Sequence, residues 1–252
     1  MMTLQSFFQA NPRAAVAFSG GVDSAYLLWA AKASGATVRA YYVKSPFQPL
    51  FELADAVKLC RALAVPLTVL PVDVLSDEAV AKNDDLRCYH CKRRIFTAIL
   101  EAAARDGFDL LLDGTNASDE ASDRPGMRAL SELHVLSPLR LCALTKADIR
   151  QRSREAGLFT WDKPAYACLA TRIPTGTAIT RQALCATEAA EGYLAALGFS
   201  DFRVRYFGGA AKIQVREAQL PRLLACREEI LRQLSPLYDG VLLDLEVRPC
   251  KM

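Results

Sequence analysis

The sequence predicts an α/β protein: a parallel sheet covered on both faces, followed by a smaller α+β domain. Two patterns carry that prediction. Up to about residue 160, short continuous apolar runs alternate with stretches of helical periodicity. Strands that read as continuous apolar runs are buried on both sides, and alternation with helices makes the sheet parallel. After about residue 175 the order becomes helix, strand, strand, helix, strand, the order of a small α+β unit.

The elements follow in order. AAVAFS (14–19) is the first strand; it meets a glycine-rich turn, and SAYLLWAAKASG is the helix after it, closed by Gly35. TVRAYYV (37–43) is the second strand, PLFELADAVKLCRALAV (49–65) a helix, and LTVLPVD (67–73) the third strand. The 84–94 region reads as a loop, and KRRIFTAILEAAARDG (92–107) as a helix ending at Gly107. FDLLLDGTN (108–116) is a fourth strand running into a polar loop, and HVLSPL (134–139) a fifth. TKADIRQRSREAGL (145–158) is a helix with Thr145 as its N-cap. IPTGTAIT (173–180) reads as a linker, dividing the chain into domains 1–172 and 173–252. Beyond it come a helix (181–198), two strands joined through Gly208 and Gly209 (202–215), a helix (220–234) and a strand (241–248).

Composition narrows the function. With 52% hydrophobic and 23% charged residues the chain is an ordinary globular protein, long enough at 252 residues to bury a real core. A net charge of +3 gives no support for a nucleic-acid partner, which calls for a stronger, clustered excess, and suits small anionic ligands. The stretch 14–31 lacks Lys and Arg but carries Asp23 and two adjacent glycines, so it is a poor membrane span. The start MMTLQSFFQANPR lacks the charged region of a secretory signal, so a cytoplasmic protein is expected. Its eight cysteines are then no disulfide framework. Cys60, Cys142, Cys185 and Cys226 lie in apolar or helical runs and read as packing residues, and Cys250 is uninformative.

The sharpest local signal is AFSGGVDSA (17–25). Ser19, Gly20 and Gly21 follow a strand, and Asp23 and Ser24 open a helix. Glycines let backbone approach an anion, and first-turn N–H groups favour negative charge. The lysine of a Walker loop is missing from this segment. An ordinary glycine-rich turn is the plainer reading. The loop DGTNASDEASDRPG (113–126) carries Asp113, Asp119, Glu120 and Asp123, which suit Mg²⁺ beside substrate phosphates or simply a solvated loop. Cys88 and Cys91 in LRCYHCKR fit a redox disulfide, half a zinc site or part of an iron–sulfur site. A further cysteine, Cys168, stands in KPAYACLATR between a Lys-Pro turn and Arg172. Arg203 and Arg205 alternate on one strand face, which suits phosphate recognition or an exposed basic strand. Arg172 and Lys92 are candidates to orient a substrate carboxylate, and Glu120 and Glu191 to reach a metal such as Mg²⁺.

SGGVDS resembles the PP-loop of the adenylating ATP pyrophosphatase superfamily. That resemblance implies a PP-loop, adenine nucleotide alpha hydrolase-like domain that binds ATP through Ser19, Gly20, Gly21, Asp23 and Ser24. It also implies cleavage between the α and β phosphates. RCYHCK, DGTNASDEASDRPG, SPL, WDKPAYACLATR and RVR together resemble the LarE family, the pyridinium-3,5-bisthiocarboxylic acid mononucleotide synthases of nickel-pincer nucleotide biosynthesis. The resemblance runs in order from residue 16 to at least 215. It implies a nucleotide substrate, pyridinium-3,5-biscarboxylic acid mononucleotide, whose carboxylates are adenylated and become thiocarboxylates. Family members either sacrifice the sulfur of one cysteine, here Cys168, or hold a [4Fe-4S] cluster by three, here Cys88, Cys91 and Cys168. The presence of all three implies the cluster type, with sulfide or a sulfide donor as partner. Arg203 and Arg205 are implied to hold the substrate phosphate, and the family implies a homo-oligomer. Alternatives are sacrificial transfer from Cys168, a PP-loop tRNA thiolase, and a non-catalytic nucleotide sensor.

Overall fold

A computed structural model describes residues 2–119 and 125–248. The chain falls into two compact units. One holds the residues up to 74 with 85–166; the other holds 75–84 with the residues from 167 onward.

In chain order the first unit opens with α1 (Leu4–Ala10), β1 (Arg13–Ala17), α2 (Val22–Ala33), β2 (Thr37–Lys44), α3 (Leu50–Ala62) and β3 (Leu67–Pro71). The 75–84 segment carries α4 (Glu78–Ala81). The first unit resumes with α5 (Arg87–Arg105), β4 (Leu111–Leu112), α6 (Pro125–Glu132), α7 (Pro138–Leu141) and α8 (Lys146–Glu155).

All four strands are parallel, in the order β3-β2-β1-β4. Successive residues face opposite sides of a strand, and two separate cores show it. Ala14, Val16, Val38, Ala40 and Tyr42 enter one apolar cluster, while Ala15, Tyr41 and Val43 enter the other. The doubly covered parallel sheet expected from continuous apolar runs is therefore present. β1 is followed on one side by β2 and on the other by β4, so the direction of winding reverses between β1 and β4. Open α/β sheets form a crevice at that point, beyond the strand ends.

Two local expectations in this unit need correction. The expected fifth strand (134–139) is a single parallel bridge, Leu136 to Leu112. His134 at φ 53° bends the chain before it, and Pro138 opens α7 directly after it. The 84–94 loop is largely helix, because α5 starts at Arg87 rather than near Lys92. Tyr89 is the reason: it is buried with Phe96, Ile99 and Ala103 and so opens the apolar stripe of the helix. Its hydroxyl donates to Glu132 at 2.7 Å, and the Arg128 guanidinium lies 3.9 Å from its ring centre. The helix expected over 145–158 has its Thr145 N-cap, completed as a capping box by Asp148.

The second unit continues with α9 (Arg181–Ala196), β5 (Arg203–Phe207), β6 (Ala210–Gln214), α10 (Leu220–Ala225), α11 (Arg227–Leu234) and β7 (Val241–Leu243). This is the α-β-β-α-β order read from sequence, except that the helix expected over 220–234 breaks at Cys226. The sheet order is β5-β6-β7, with β5 and β6 antiparallel through Gly208 and Gly209, both at positive φ. Ala190 and Leu194 of α9 and Ile230 and Leu234 of α11 pack with Val204, Ala211 and Ile213 of the sheet.

Asn83 ties the 75–84 segment into this unit. It is fully buried at φ 61°, and its amide donates to the carbonyls of Pro174 and Thr177, each at 2.8 Å. No helix among the described residues is long and apolar enough to cross a membrane.

Asn83→Ala removes the donor shared by the Pro174 and Thr177 carbonyls from a fully buried position and keeps the unfavourable φ. The expected loss of stability is about 1–3 kcal/mol, read as a lower denaturant midpoint with an unchanged slope.

Candidate functional site

The loop after β1 and the loop after β4 meet at the reversal point. Gly20 takes φ +73°, and a Cβ there would stand 3.0 Å from the Glu52 carbonyl oxygen. Gly21 is the N-cap of α2 in extended conformation, with no side chain on the first-turn N–H groups. Ser24 is buried; its hydroxyl donates to the Gly21 carbonyl at 3.2 Å and lies 3.1 Å from the Ser19 hydroxyl. From the other side Gly114 presses on the same turn: a Cβ there would meet Ser24 N at 2.9 Å. The result is a glycine-walled cradle on an uncapped helix N-terminus, a geometry suited to an anion.

Asp23 supplies a carboxylate beside it. Lys146 holds Oδ2 at 2.6 Å, while Oδ1 is buried with no hydrogen-bond partner among the described residues. Burial raises its pKa above the ordinary carboxylate range; Lys146 pulls it back, and the charge of Asp119 pushes it up again. An orphaned carboxylate oxygen beside an anion cradle fits a divalent cation such as Mg²⁺, which takes carboxylate and phosphate oxygens together.

Two lysines that the sequence reading missed complete this site. Lys146, from the start of α8, lies against Asp23; Lys163 donates to the Gly20 carbonyl at 3.2 Å and pairs with Asp55 at 2.6 Å. The cationic charge that a Walker loop carries within its own motif is brought here from distant segments.

Of the acidic-loop residues, Asp113 is buried and accepts from Ser137 at 2.6 Å and from the Thr115 hydroxyl, so it braces the loop. Asp119 accepts from the Asn116 N–H at 2.9 Å and lies near enough to raise the Asp23 pKa. Glu120 and Asp123 lie outside the described residues.

Cys88 and Cys91 fall at the second and fifth positions of α5, three apart and so on neighbouring positions of one helix face. Cys88 is exposed and Cys91 partly so, and the Arg87 guanidinium lies 3.6 Å from the Cys88 sulfur. Cys60 and Cys142 are buried, and burial raises both thiol pKa values, that of Cys60 to about 12. Lys92 sits on the same helix against Gly126 of α6.

The second unit gathers Cys168, Arg172, Glu191 and Arg205. Cys168 is partly exposed and caps the 3-10 turn Leu169–Arg172. The Arg172 side chain is almost wholly buried. It reaches Glu191 with two bonds, at 2.6 and 3.1 Å, and donates to the Ala167 carbonyl at 3.1 Å and the Thr171 hydroxyl at 2.7 Å. Those last two residues flank Cys168, so Arg172 sets the shape of the cysteine turn. Glu191 also accepts from the Val204 N–H at 3.0 Å. A cation at Glu191 would compete with the guanidinium for both carboxylate oxygens. Arg203 is buried at the start of β5, and Arg205 donates to the Thr171 carbonyl at 3.4 Å. Among the described residues no three His, Cys, Asp or Glu side chains are grouped as a metal site.

No protein-family model matches the chain. Relatives do. The pyridinium-3,5-bisthiocarboxylic acid mononucleotide synthase of Lactiplantibacillus plantarum is 33% identical over 246 residues, covering 96% of this chain and 89% of that protein. An uncharacterized protein of Synechocystis is 32% identical, covering 88% and 83%. The tRNA-specific 2-thiouridylase MnmA of Thermotoga neapolitana is 28% identical over 57% of this chain and 52% of its own length.

Lys146→Met removes the group that holds the Asp23 pKa down, so that carboxyl rises further. ATP–pyrophosphate exchange is expected to fall roughly 10- to 100-fold, with the acid limb of its pH profile moved to higher pH. Gly114→Ala places a methyl against the Ser24 backbone and is expected to weaken ATP binding in calorimetry while costing about 1–3 kcal/mol of stability.

Proposed function

The chain belongs to the pyridinium-3,5-bisthiocarboxylic acid mononucleotide synthase family, ATP-using sulfurtransferases of the PP-loop superfamily, and we propose that it thiolates pyridinium-3,5-biscarboxylic acid mononucleotide. The observation that carries this reading is the partly exposed Cys168 on a turn whose Thr171 carbonyl is contacted by Arg205 of β5. A sulfur-bearing residue and a phosphate-type cation thus share one small unit.

The chemistry has two steps. A substrate carboxylate oxygen attacks the α-phosphorus of ATP; the bond to the β-phosphate oxygen breaks and pyrophosphate leaves. Ser19, Gly20, Gly21 and Ser24 hold the phosphates, Asp23 reaches Mg²⁺, and Lys146 and Lys163 offset charge growing on the leaving group. Hydrosulfide sulfur then attacks the acyl carbon, the bond to AMP breaks, and a thiocarboxylate remains after loss of a proton. Arg203 and Arg205 hold the substrate phosphate. Arg172, bound to Glu191, positions the Cys168 turn and through it the carboxylate being modified.

Support for a [4Fe-4S] cluster comes from the thiols themselves: Cys88 is exposed, Cys91 and Cys168 are partly so, and cysteine thiolates are the ordinary ligands of such a cluster. When bound through these three thiolates, such a cluster supplies one iron with an open position for sulfide. Sulfide or a sulfide donor, and a homo-oligomeric assembly, belong to the same proposal. Sacrificial transfer is the second reading, supported by the partial exposure of Cys168 on a turn held by Arg172. There the Cys168 sulfur attacks the adenylate, AMP leaves, and loss of the proton on Cα breaks the Cβ–Sγ bond. The product is thiocarboxylate and dehydroalanine.

Anaerobically reconstituted protein is expected to hold about four irons and four acid-labile sulfides per chain. Cys88→Ala and Cys168→Ala should each lose them, together with sulfide-dependent thiolation. Absence of iron, with Cys168 converted to dehydroalanine in one turnover by mass spectrometry and Cys88→Ala still active, would overturn the cluster and establish the sacrificial route. Thiolation of bulk tRNA in preference to the mononucleotide would overturn both.

A further inference from the structure

The face of the three-stranded sheet opposite its apolar core carries more positive charge than the sequence motif shows. β5 and β6 are antiparallel with Arg205 directly opposite Lys212 and Arg203 opposite Gln214. Directly opposed residues point to the same face, and so do residues two apart on one strand. Arg203, Arg205 and Lys212 therefore share a face, with two cations side by side across the ladder. Like charges directly opposed destabilise a sheet.

A carboxylate answers Lys212 and Arg205. Asp244, just past β7, pairs with Lys212 at 2.9 Å, and its pKa is lowered by that bond, by Lys212 and by Arg205. Asp244 is held in place by its own surroundings: its N–H donates to the Ile213 carbonyl at 2.8 Å and its Oδ1 accepts from the Glu246 N–H at 3.3 Å. Lys212 keeps about a third of its side chain exposed and reaches out over the Phe207 ring, 5.6 Å from its centre. It is thus a positioned yet accessible ammonium on the cationic face, beside the strand that touches the Cys168 turn.

We propose that Lys212 is a third phosphate ligand of the nucleotide substrate, parked on Asp244 until the phosphate monoester arrives. The proposal rests on the reading of Arg203 and Arg205 as phosphate-binding. A monoester dianion has three terminal oxygens, and two guanidinium groups on one strand leave room for a point-charge donor from its neighbour. The phosphate then removes the repulsion between Arg205 and Lys212, while Asp244 is the competitor it displaces.

The test compares binding of pyridinium-3,5-biscarboxylic acid mononucleotide with that of the same compound lacking its phosphate, by calorimetry. Lys212→Met is expected to weaken the mononucleotide about tenfold, leave the dephosphorylated form unchanged and leave ATP affinity unchanged; Lys212→Arg should restore most of the loss. Asp244→Asn frees the ammonium and is expected to tighten the mononucleotide several-fold, an effect that a merely structural role for the pair would not produce. If Arg205→Met abolishes discrimination for the phosphate while the Lys212 and Asp244 variants bind as wild type, the Lys212 proposal fails and the phosphate face stands. If Arg205→Met also leaves discrimination intact, the phosphate reading itself fails and takes the proposal with it. Should Lys212→Met not fold, unchanged affinity for the mononucleotide in Asp244→Asn would still overturn the proposal.

Discussion

Gly114 lies so close to the first turn of α2 that a single added carbon would stand 2.9 Å from the backbone nitrogen of Ser24. That approach locks the loop after β4 onto the loop after β1, and it depends on the strand order. Because β1 lies between β2 and β4, both loops emerge at the same end of adjacent parallel strands. The crevice, the uncapped start of α2 and the buried Asp23 all follow from it. Asp113 holds the second loop in place by accepting from Ser137, the residue directly after the bridge at Leu136 that continues the sheet beyond β4. A longer fifth strand would have carried Ser137 along the sheet, but Pro138 at the first turn of α7 stops it there.

The second unit is built around an interaction of a different kind. The Arg172 guanidinium and Glu191 carboxylate are almost wholly buried, and burying two charges is costly unless further hydrogen bonds satisfy them. Those bonds are present: Arg172 reaches the backbone before Cys168 and the side chain after it, and Glu191 takes the N–H of Val204. One buried pair therefore connects α9, β5 and the cysteine turn. Such a pair is weak evidence for stability, but it specifies one geometry, which a reactive thiol on a short turn needs.

How much of this was legible before the structure follows from the range of each interaction. The parallel sheet was readable because a doubly buried strand is apolar throughout, and AAVAFS and TVRAYYV show it within six or seven residues. The anion cradle was readable because its glycines, serines and aspartate are contiguous. The helix around Cys88 and Cys91 was misjudged because its anchor, Tyr89, looks like any aromatic residue until α6 packs on it. Lys146 and Lys163 left no local signal, since the groups they contact lie 123 and 143 positions away. Arg172 and Glu191 were both singled out as site residues, yet nothing in the sequence says that they face each other. Lys212 could have been found: the turn at Gly208 and Gly209 fixes the hairpin register and so sets Lys212 opposite Arg205.

A net charge of +3 is modest for a protein expected to hold two polyanionic substrates, and the pairing of its cations shows how both conditions are met. Lys146 is paired with Asp23, Lys163 with Asp55, Lys212 with Asp244 and Arg172 with Glu191. Each cation is thereby positioned in advance while its charge is offset locally, which limits repulsion before any phosphate arrives. Exposure separates these pairs by role. Lys146 and Lys212 keep about a third of their side chains open to solvent, where an ion pair is worth about 0–1 kcal/mol. A phosphate can displace or share such a partner at small cost. The Arg172 side chain is 1% exposed, and separating it from Glu191 would leave a buried charge uncompensated, a loss of about 3–5 kcal/mol. Arg172 therefore acts through the turn it holds, and the exchangeable lysines are the groups suited to meet incoming phosphate.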